Sequence, residues 1–334
     1  MVRRLLVSTL SLLALAPAAP AAASLRASWN LGEQHAVRVA GVMHNLDDQQ
    51  FHGERPVAGQ QLPEAFAAFA ALLGVPPIAA PARSVSVAAF DRLLVQQLGA
   101  ADVAAAVQHE AWRAGLQPPR DFGTEVVARY LGLRVDHPAP HEELELFTTD
   151  AVTRAEAAHS FAVALRWEGT AADAARQTFA RFVLPRYTAA QRRVLRLAVS
   201  KIGMPYIWGG ETDQASSYFG GQTHGGYDCS GFAWRVFKLS GFPWGQAIHG
   251  RTAAAQAGEI RRAARIRLAD VRPADLLFFG PGRFWQRATE RRIVHEGIAL
   301  SSEWMIHSSA QGVYVSPLFD ASRAREFSWA RRVL

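Results

Sequence analysis

Close to residue 203 the patterning of the chain changes, and one kind of secondary structure cannot satisfy both sides of the change. Before it, apolar residues recur at helical spacing in Ala-rich segments. After it, Gly and aromatic residues become more frequent and short strand-like runs appear. "DLLFFG" (275–280), "RIVHEGIAL" (292–300), "EWMIHSS" (303–309) and "GVYVSP" (312–317) read as strands separated by turn residues. One helix, over 229–240, precedes them. The pattern predicts an α+β unit, a helix packed on an antiparallel sheet, behind a mostly α-helical repeat region.

The chain has 334 residues, 49% of them hydrophobic and 19% charged, enough apolar material for a core in each part. Four segments follow from the pattern. Residues 1–23 begin with Arg3 and Arg4, continue through an apolar run to Leu15 and end in small residues at Ala21–Ala23, the layout of a secretory signal peptide. Residues 24–60 read as an extended arm. Residues 61–185 hold two copies of a helix–loop–helix unit. In these, "LPEAFAAFAALLGV" and "FGTEVVARYLGL" each close on a glycine, Gly74 and Gly132. "SVSVAAFDRLLVQQL" and "DAVTRAEAAHSFAVAL" form the second helices, and Thr153 and Glu156 suggest a capping box. Residues 186–334 open with a helix whose Val194, Leu197, Ala198 and Ile202 share one face, and continue into the α+β unit.

The net charge is +7. A basic surface suits nucleic acid, an acidic membrane or an anionic wall polymer. An exported chain excludes nucleic acid as the expected partner and favours the wall. No later run has the length of a transmembrane span. The expected location is therefore secreted, in the cell envelope or cell wall.

Export makes Cys229 conspicuous, because it is the only cysteine and cannot form an internal disulfide. It sits in "GGYDCSGFAWRVF", where Phe232, Val236 and Leu239 continue at helical spacing and Gly241 ends the run. A thiol at a helix N-terminus is expected to have a lowered pKa and to be nucleophilic. Two other readings of the cysteine are a buried small hydrophobe and a zinc site with two histidines, although no close-spaced ligand pair is present.

A thiolate nucleophile needs a base, and the base needs an orienting group. His295 and His307 lie on adjacent predicted strands joined by "SSE" (301–303). If Leu300 pairs with Trp304, the two histidines share a face as diagonal neighbours, roughly 7–8 Å apart at the backbone. A two-residue loop would place them on opposite faces. The expectation is that they share the face that the Cys229 helix end meets.

"YDCSGF", "VHEGIAL" and "MIHSS", in this order, resemble the NlpC/p60 group of papain-like peptidoglycan endopeptidases. "MPYIWGG" (204–210), "HGRTAAAQ" (249–256), "RPADLLFF" (272–279) and the closing "ARRVL" extend the resemblance over about 200–334. It implies Cys229 as nucleophile, His295 as general base and then acid, His307 as the orienting third member, and Tyr206 beside the nucleophile at the oxyanion site. It further implies substrate binding by Asp228, Ser230 and Trp208, with no metal or organic cofactor. The implied substrate is a peptidoglycan stem peptide, cut at the γ-D-glutamyl bond to a diamino acid. An amidase or acyl transferase on the same scaffold, or a non-enzymatic wall-binding protein, are the alternatives. Glu296 stands where the family has an apolar residue, and alternation turns it away from His295, so little effect on the base is expected. Ala274 stands where the family has Gly.

"FTTDAVTRAEAAHSFAVAL" in the helical part resembles an S-layer homology repeat. That implies contact with an anionic secondary wall polymer through Arg154; the first copy has Ser86–Val87 where the second has Thr153–Arg154. A plain helical domain packed on the catalytic part is the alternative.

Overall fold

A computed structural model describes residues 29–216 and 221–334. The signal-peptide reading of residues 1–23 lies outside them. The helical half comprises α1 (Leu31–Val39), α2 (Gln61–Leu73), α3 (Val87–Gln97), α4 (Ala101–Arg113), α5 (Phe122–Tyr130), α6 (Arg154–Arg166) and α7 (Ala171–Phe179). Among the described residues of the arm, α1 is a helix, and the later ones are turns and irregular backbone. The two repeated units are α2–α3 and α5–α6. Gly74 and Gly132 end the first helix of each with φ of 66° and 73°, the left-handed conformation that a side chain disfavours. Ser86 and Thr153 cap the second helices through their side-chain oxygens. Their capping segments meet in a two-residue bridge between Ser86 and Ala151. Phe161 at the centre packs against Phe66, Phe69 and Phe90, with ring centroids 5.2, 5.2 and 5.5 Å away. Such aromatic burial supplies much of the driving force for a helical unit of this size.

Arg154 lies inside this core rather than on a binding surface. It is 2% exposed and donates to the carbonyls of Phe51 and His44 and to Gln61 Oε1. Its guanidinium is consumed by backbone of the preceding arm, so the polymer contact inferred for it has no free group.

The helix α8 (Ala189–Val199) begins with a full capping box, Thr188 with Gln191. It buries Val194, Leu195, Ala198 and Val199. A short ribbon, β1 (Glu211–Thr212) with β2 (Gly226–Tyr227), precedes α9 (Cys229–Ala233), which continues through a π-helical turn to Lys238. After α10 (Ala253–Gly258) come β3 (Leu276–Phe279), β4 (His295–Ala299), β5 (Trp304–Ser309), β6 (Gly312–Pro317), α11 (Ala321–Glu326) and β7 (Phe327–Arg331). The sheet order is β6-β5-β4-β3-β7, and every neighbouring pair is antiparallel. The unit is α+β, as the patterning indicated. Strand β7, not among the sequence-read strands, closes the β3 edge. Ala274, just before β3, has φ of 68°, which accounts for a glycine preference there.

The two halves are joined by packing and by buried polar contacts. Trp304 stacks on Phe179 at 5.2 Å and meets Phe182 edge-on at 5.0 Å. Tyr187 donates to the carbonyl of Leu300, and Asp136 accepts from the backbone of Tyr206 and Gly312. Arg129 donates to the carbonyls of Gly203 and Gln311. No helix among the described residues is long and apolar enough to cross a membrane.

Candidate active site

The hairpin register is the one that the three-residue turn requires. Ile298 pairs with Ile306, Ala299 with Met305, and Leu300 N–H donates to the Trp304 carbonyl. Continuing it sets Gly297 opposite His307, whose Cβ lies 3.1 Å from where a side chain on that glycine would start. The missing side chain opens the diagonal, and Nε2 of His295 reaches Nδ1 of His307 at 2.8 Å. Nε2 of His307 in turn lies 2.9 Å from Ser316 Oγ on β6. His307 is fully buried.

The face they share differs from the expectation. Pairing groups His295 and Gly297 with Phe279 and Leu277, whereas Leu276, Phe278, Glu296, Ile298 and Ile306 form the opposite face. The apolar members of that opposite face belong to the same core as Phe232 and Val236 of the helix that follows Cys229. The Cys229 sulfur therefore meets the sheet at the first residues of β4, at the residue that follows His295. The backbone N–H groups of Glu296 and Ser230 donate toward its sulfur.

Asp228 gives Cys229 its place at the helix start. It is the N-cap, extended at ψ 176°, and its carboxylate accepts from the Gly231 N–H. Arg251 then binds the whole turn. It donates to Asp228 at 3.0 Å, Ser230 Oγ at 3.0 Å, Glu211 at 3.1 Å, and the carbonyls of Gly209 and Gly210 at 2.9 and 3.0 Å. Asp228 and Ser230 were expected to bind substrate. The structure turns their polar atoms inward, Ser230 donating to Asp228 and accepting from Arg251, so both build the nucleophile's turn instead. Trp208 is 78% exposed, and its backbone N–H donates to Glu142 of the helical half. Tyr206 is half-buried close enough to Cys229 and Asp228 for their charges to add to burial in raising its hydroxyl pKa.

The electrostatics also depart from expectation. Burial, with the Asp228 and Glu296 carboxylates behind it, pushes the Cys229 thiol up to about 12. The helix end does not outweigh desolvation here. Burial, and then the Arg323 charge, bring His295 down to about 3, while burial, followed by the neighbouring His295 and Arg323, holds His307 well below the usual histidine range. The resting pair is accordingly a neutral thiol beside a neutral imidazole. Nε2 of His295 is bound to His307, so Nδ1 is the ring nitrogen outside that pair. Beside His295 lies a cavity of about 400 Å³ lined by Phe279, Arg283, Val294, Arg325 and Glu326. Nothing in the sequence pattern marked Arg251 or Ser316. Both sit in segments already recognised, but their partners come from distant residues.

Residues 203–332 match the NlpC/P60 family model. This segment is an NlpC/P60 domain. Its helix packed on an antiparallel sheet is the papain-like arrangement implied by the sequence. The chain is 30% identical over 151 residues to a probable endopeptidase of Mycobacterium bovis, covering 42% of this chain and 32% of the relative. It is 30% identical over 112 residues to a gamma-D-glutamyl-L-lysine dipeptidyl-peptidase of Bacillus subtilis, covering 33% and 29%. The chain thus spans about a third of the length of these curated relatives. A solved NlpC/P60 family protein from Bacillus cereus is 25% identical, with a TM-score of 0.34, over 44% of this chain and 41% of that one.

Proposed function

We propose that the NlpC/P60 domain is a cysteine peptidase that hydrolyses an amide bond of peptidoglycan stem peptides, the γ-D-glutamyl bond to a diamino acid, in the cell envelope. The observation that carries this reading is the His295–His307 bond of 2.8 Å on the strand whose backbone faces the Cys229 sulfur. The names of the mycobacterial and Bacillus relatives support the reaction class and the bond.

His295 Nδ1 takes the thiol proton as the sulfur attacks the carbonyl carbon, because neither group is ionised beforehand. The developing oxyanion is held by the Cys229 N–H and the Tyr206 hydroxyl. The C–N bond then breaks as His295 returns the proton to the amine, leaving a thioester. Water, deprotonated by His295, attacks the thioester, releases the carboxylic acid and restores the thiol. The proton passes to the amine at His295, so the amine-side product leaves through the adjoining cavity. There Arg283 and Arg325 offer guanidinium groups to the carboxylate of a diamino acid.

Purified peptidoglycan digested with the wild-type protein and with Cys229→Ala, followed by mass spectrometry of the fragments, tests this. New amine and carboxyl termini at the D-glutamyl bond are expected from the wild type alone. Identical fragment patterns from both proteins would sink the peptidase reading. Cleavage between sugar and peptide would make the domain an amidase.

A further inference from the structure

We infer that Ser316 is a positioning residue of the catalytic relay, the terminal hydrogen-bond acceptor that fixes the tautomer of His307 and, through it, leaves Nδ1 of His295 bare. The inference rests on His295 being the base of the proposed peptidase.

Two neutral imidazoles share one short contact, and each carries a single proton. If His295 is to accept the thiol proton at Nδ1, its own proton must be on Nε2, which then donates to His307 Nδ1 across 2.8 Å. That leaves the proton of His307 on Nε2, pointing at Ser316 Oγ, 2.9 Å away. The donors then run in one direction, thiol to His295, His295 to His307, and His307 to Ser316. The opposite order puts the proton of His307 on Nδ1 and forces the proton of His295 onto Nδ1, facing the thiol. In that order the base is blocked.

His307 is 0% exposed and Ser316, 8% exposed, stands between it and an open cavity of about 440 Å³, so the hydroxyl is the acceptor the fold itself supplies to His307 Nε2. Without it, the productive order leaves a buried N–H with no acceptor, an arrangement folded proteins avoid. The blocked order leaves only an unused lone pair. Positive charge arriving on His295 during attack also draws on the same chain, since hydrogen bonds in series polarise one another. Ser316 is placed for this by the sheet. It pairs with Met305 while His307 pairs with Tyr314, which makes Ser316 a same-face diagonal neighbour of His307.

The test compares Ser316→Ala, Ser316→Thr and Ser316→Cys with wild type by stem-peptide kinetics and by ¹⁵N NMR of the histidine rings without substrate. Expected are a fall in kcat of about tenfold or more in Ser316→Ala with KM nearly unchanged. Ser316→Thr should recover most of the loss. The NMR signal of His307 should move from the Nε2–H toward the Nδ1–H tautomer in Ser316→Ala. Ser316→Cys preserves volume with a weak acceptor and should fall between, which keeps the test alive if the alanine variant folds poorly. Wild-type kcat in both the Ala and Cys variants, or an unchanged His307 tautomer, would overturn the inference. Failure of the wild type to cut any stem peptide would instead count against the peptidase reading, because the tautomer measurement needs no substrate.

Discussion

Arg251 Nη1 stands 3.0 Å from Asp228 Oδ1, and this pair ties the turn that presents Cys229 to a residue 23 positions further along the chain. The same guanidinium holds the Gly209 and Gly210 carbonyls. Replacing it with methionine leaves the Asp228 carboxylate without its cation in a largely buried site. Breaking a buried pair from one side costs about 3–5 kcal/mol. Arg251→Met is expected to lower the unfolding free energy by that order in urea melts. Arg251→Lys should recover little of it, because one ammonium cannot reproduce the planar fork. Equal stability of the three proteins would show that the turn holds itself.

Tyr206 is expected to act on kcat. Its hydroxyl lies near enough to Cys229 to feel its charge, and under the proposed mechanism charge appears on the substrate oxygen only after attack. Tyr206→Phe removes that donor and keeps the ring. Losing one oxyanion donor costs about 10²-fold or more in kcat in the best-studied case, and a shared role here should cost at least about tenfold. Steady-state kinetics should show kcat falling with KM held. A rise in KM at constant kcat would make Tyr206 a binding residue instead.

Glu296 lies fully buried on the helix-facing side of β4, and neither carboxyl oxygen has a hydrogen-bond partner among the described residues. Burial raises its pKa well above 4.5, with the Asp228 charge next in effect. A carboxyl whose pKa is higher in the fold keeps its proton there after the unfolded chain has released it. Its contribution to stability is thus full below about 4.5 and is lost as pH rises toward the folded value. Glu296→Met should be more stable than wild type by about 1–3 kcal/mol at pH 8, with the gain shrinking toward pH 4. It should also speed alkylation of Cys229 at high pH, since the ionised carboxylate opposes thiolate formation. A pH-independent difference in stability would remove ionisation as its cause.

How far the site could be read from sequence depended on the range of the contacts. The "SSE" turn fixed the β4–β5 register, so the meeting of His295 and His307 followed from two neighbouring strands. The start of the Cys229 helix was likewise readable from Asp228 and the apolar spacing after it. Alternation correctly turned Glu296 away from His295, but what it turns toward, Cys229, comes from 67 positions earlier, and no periodicity reports that. Asp228 and Ser230 read as substrate-binding residues until Arg251 is seen between them. The thiol was misjudged for a physical reason. A helix end lowers a thiol pKa only where it outweighs desolvation and nearby negative charge, and Cys229 is half-buried beside two carboxylates. Arg154 matched a surface motif locally, yet its partners, His44 and Phe51, lie about a hundred residues away.

Glu145 should make the junction between the halves sensitive to pH. It lies buried near Asp136, and it accepts from the backbone N–H of His137. Burial, reinforced by the Glu156 charge, pushes its pKa up to about 9, from the ordinary 4.5. Between those values the folded protein holds a proton that the unfolded chain has lost. Stability from this group is complete below about 4.5 and declines as pH climbs to about 9, by about 1.4 kcal/mol for each pH unit across that window. Glu145→Gln retains an oxygen for the His137 N–H and has no proton to lose. Thermal melts from pH 5 to pH 9 should show the wild-type Tm falling more steeply than that of Glu145→Gln, with the variant ahead at the alkaline end. Parallel pH profiles for the two proteins would show that Glu145 does not titrate in this window and that its carboxylate is accommodated at the junction in ionised form.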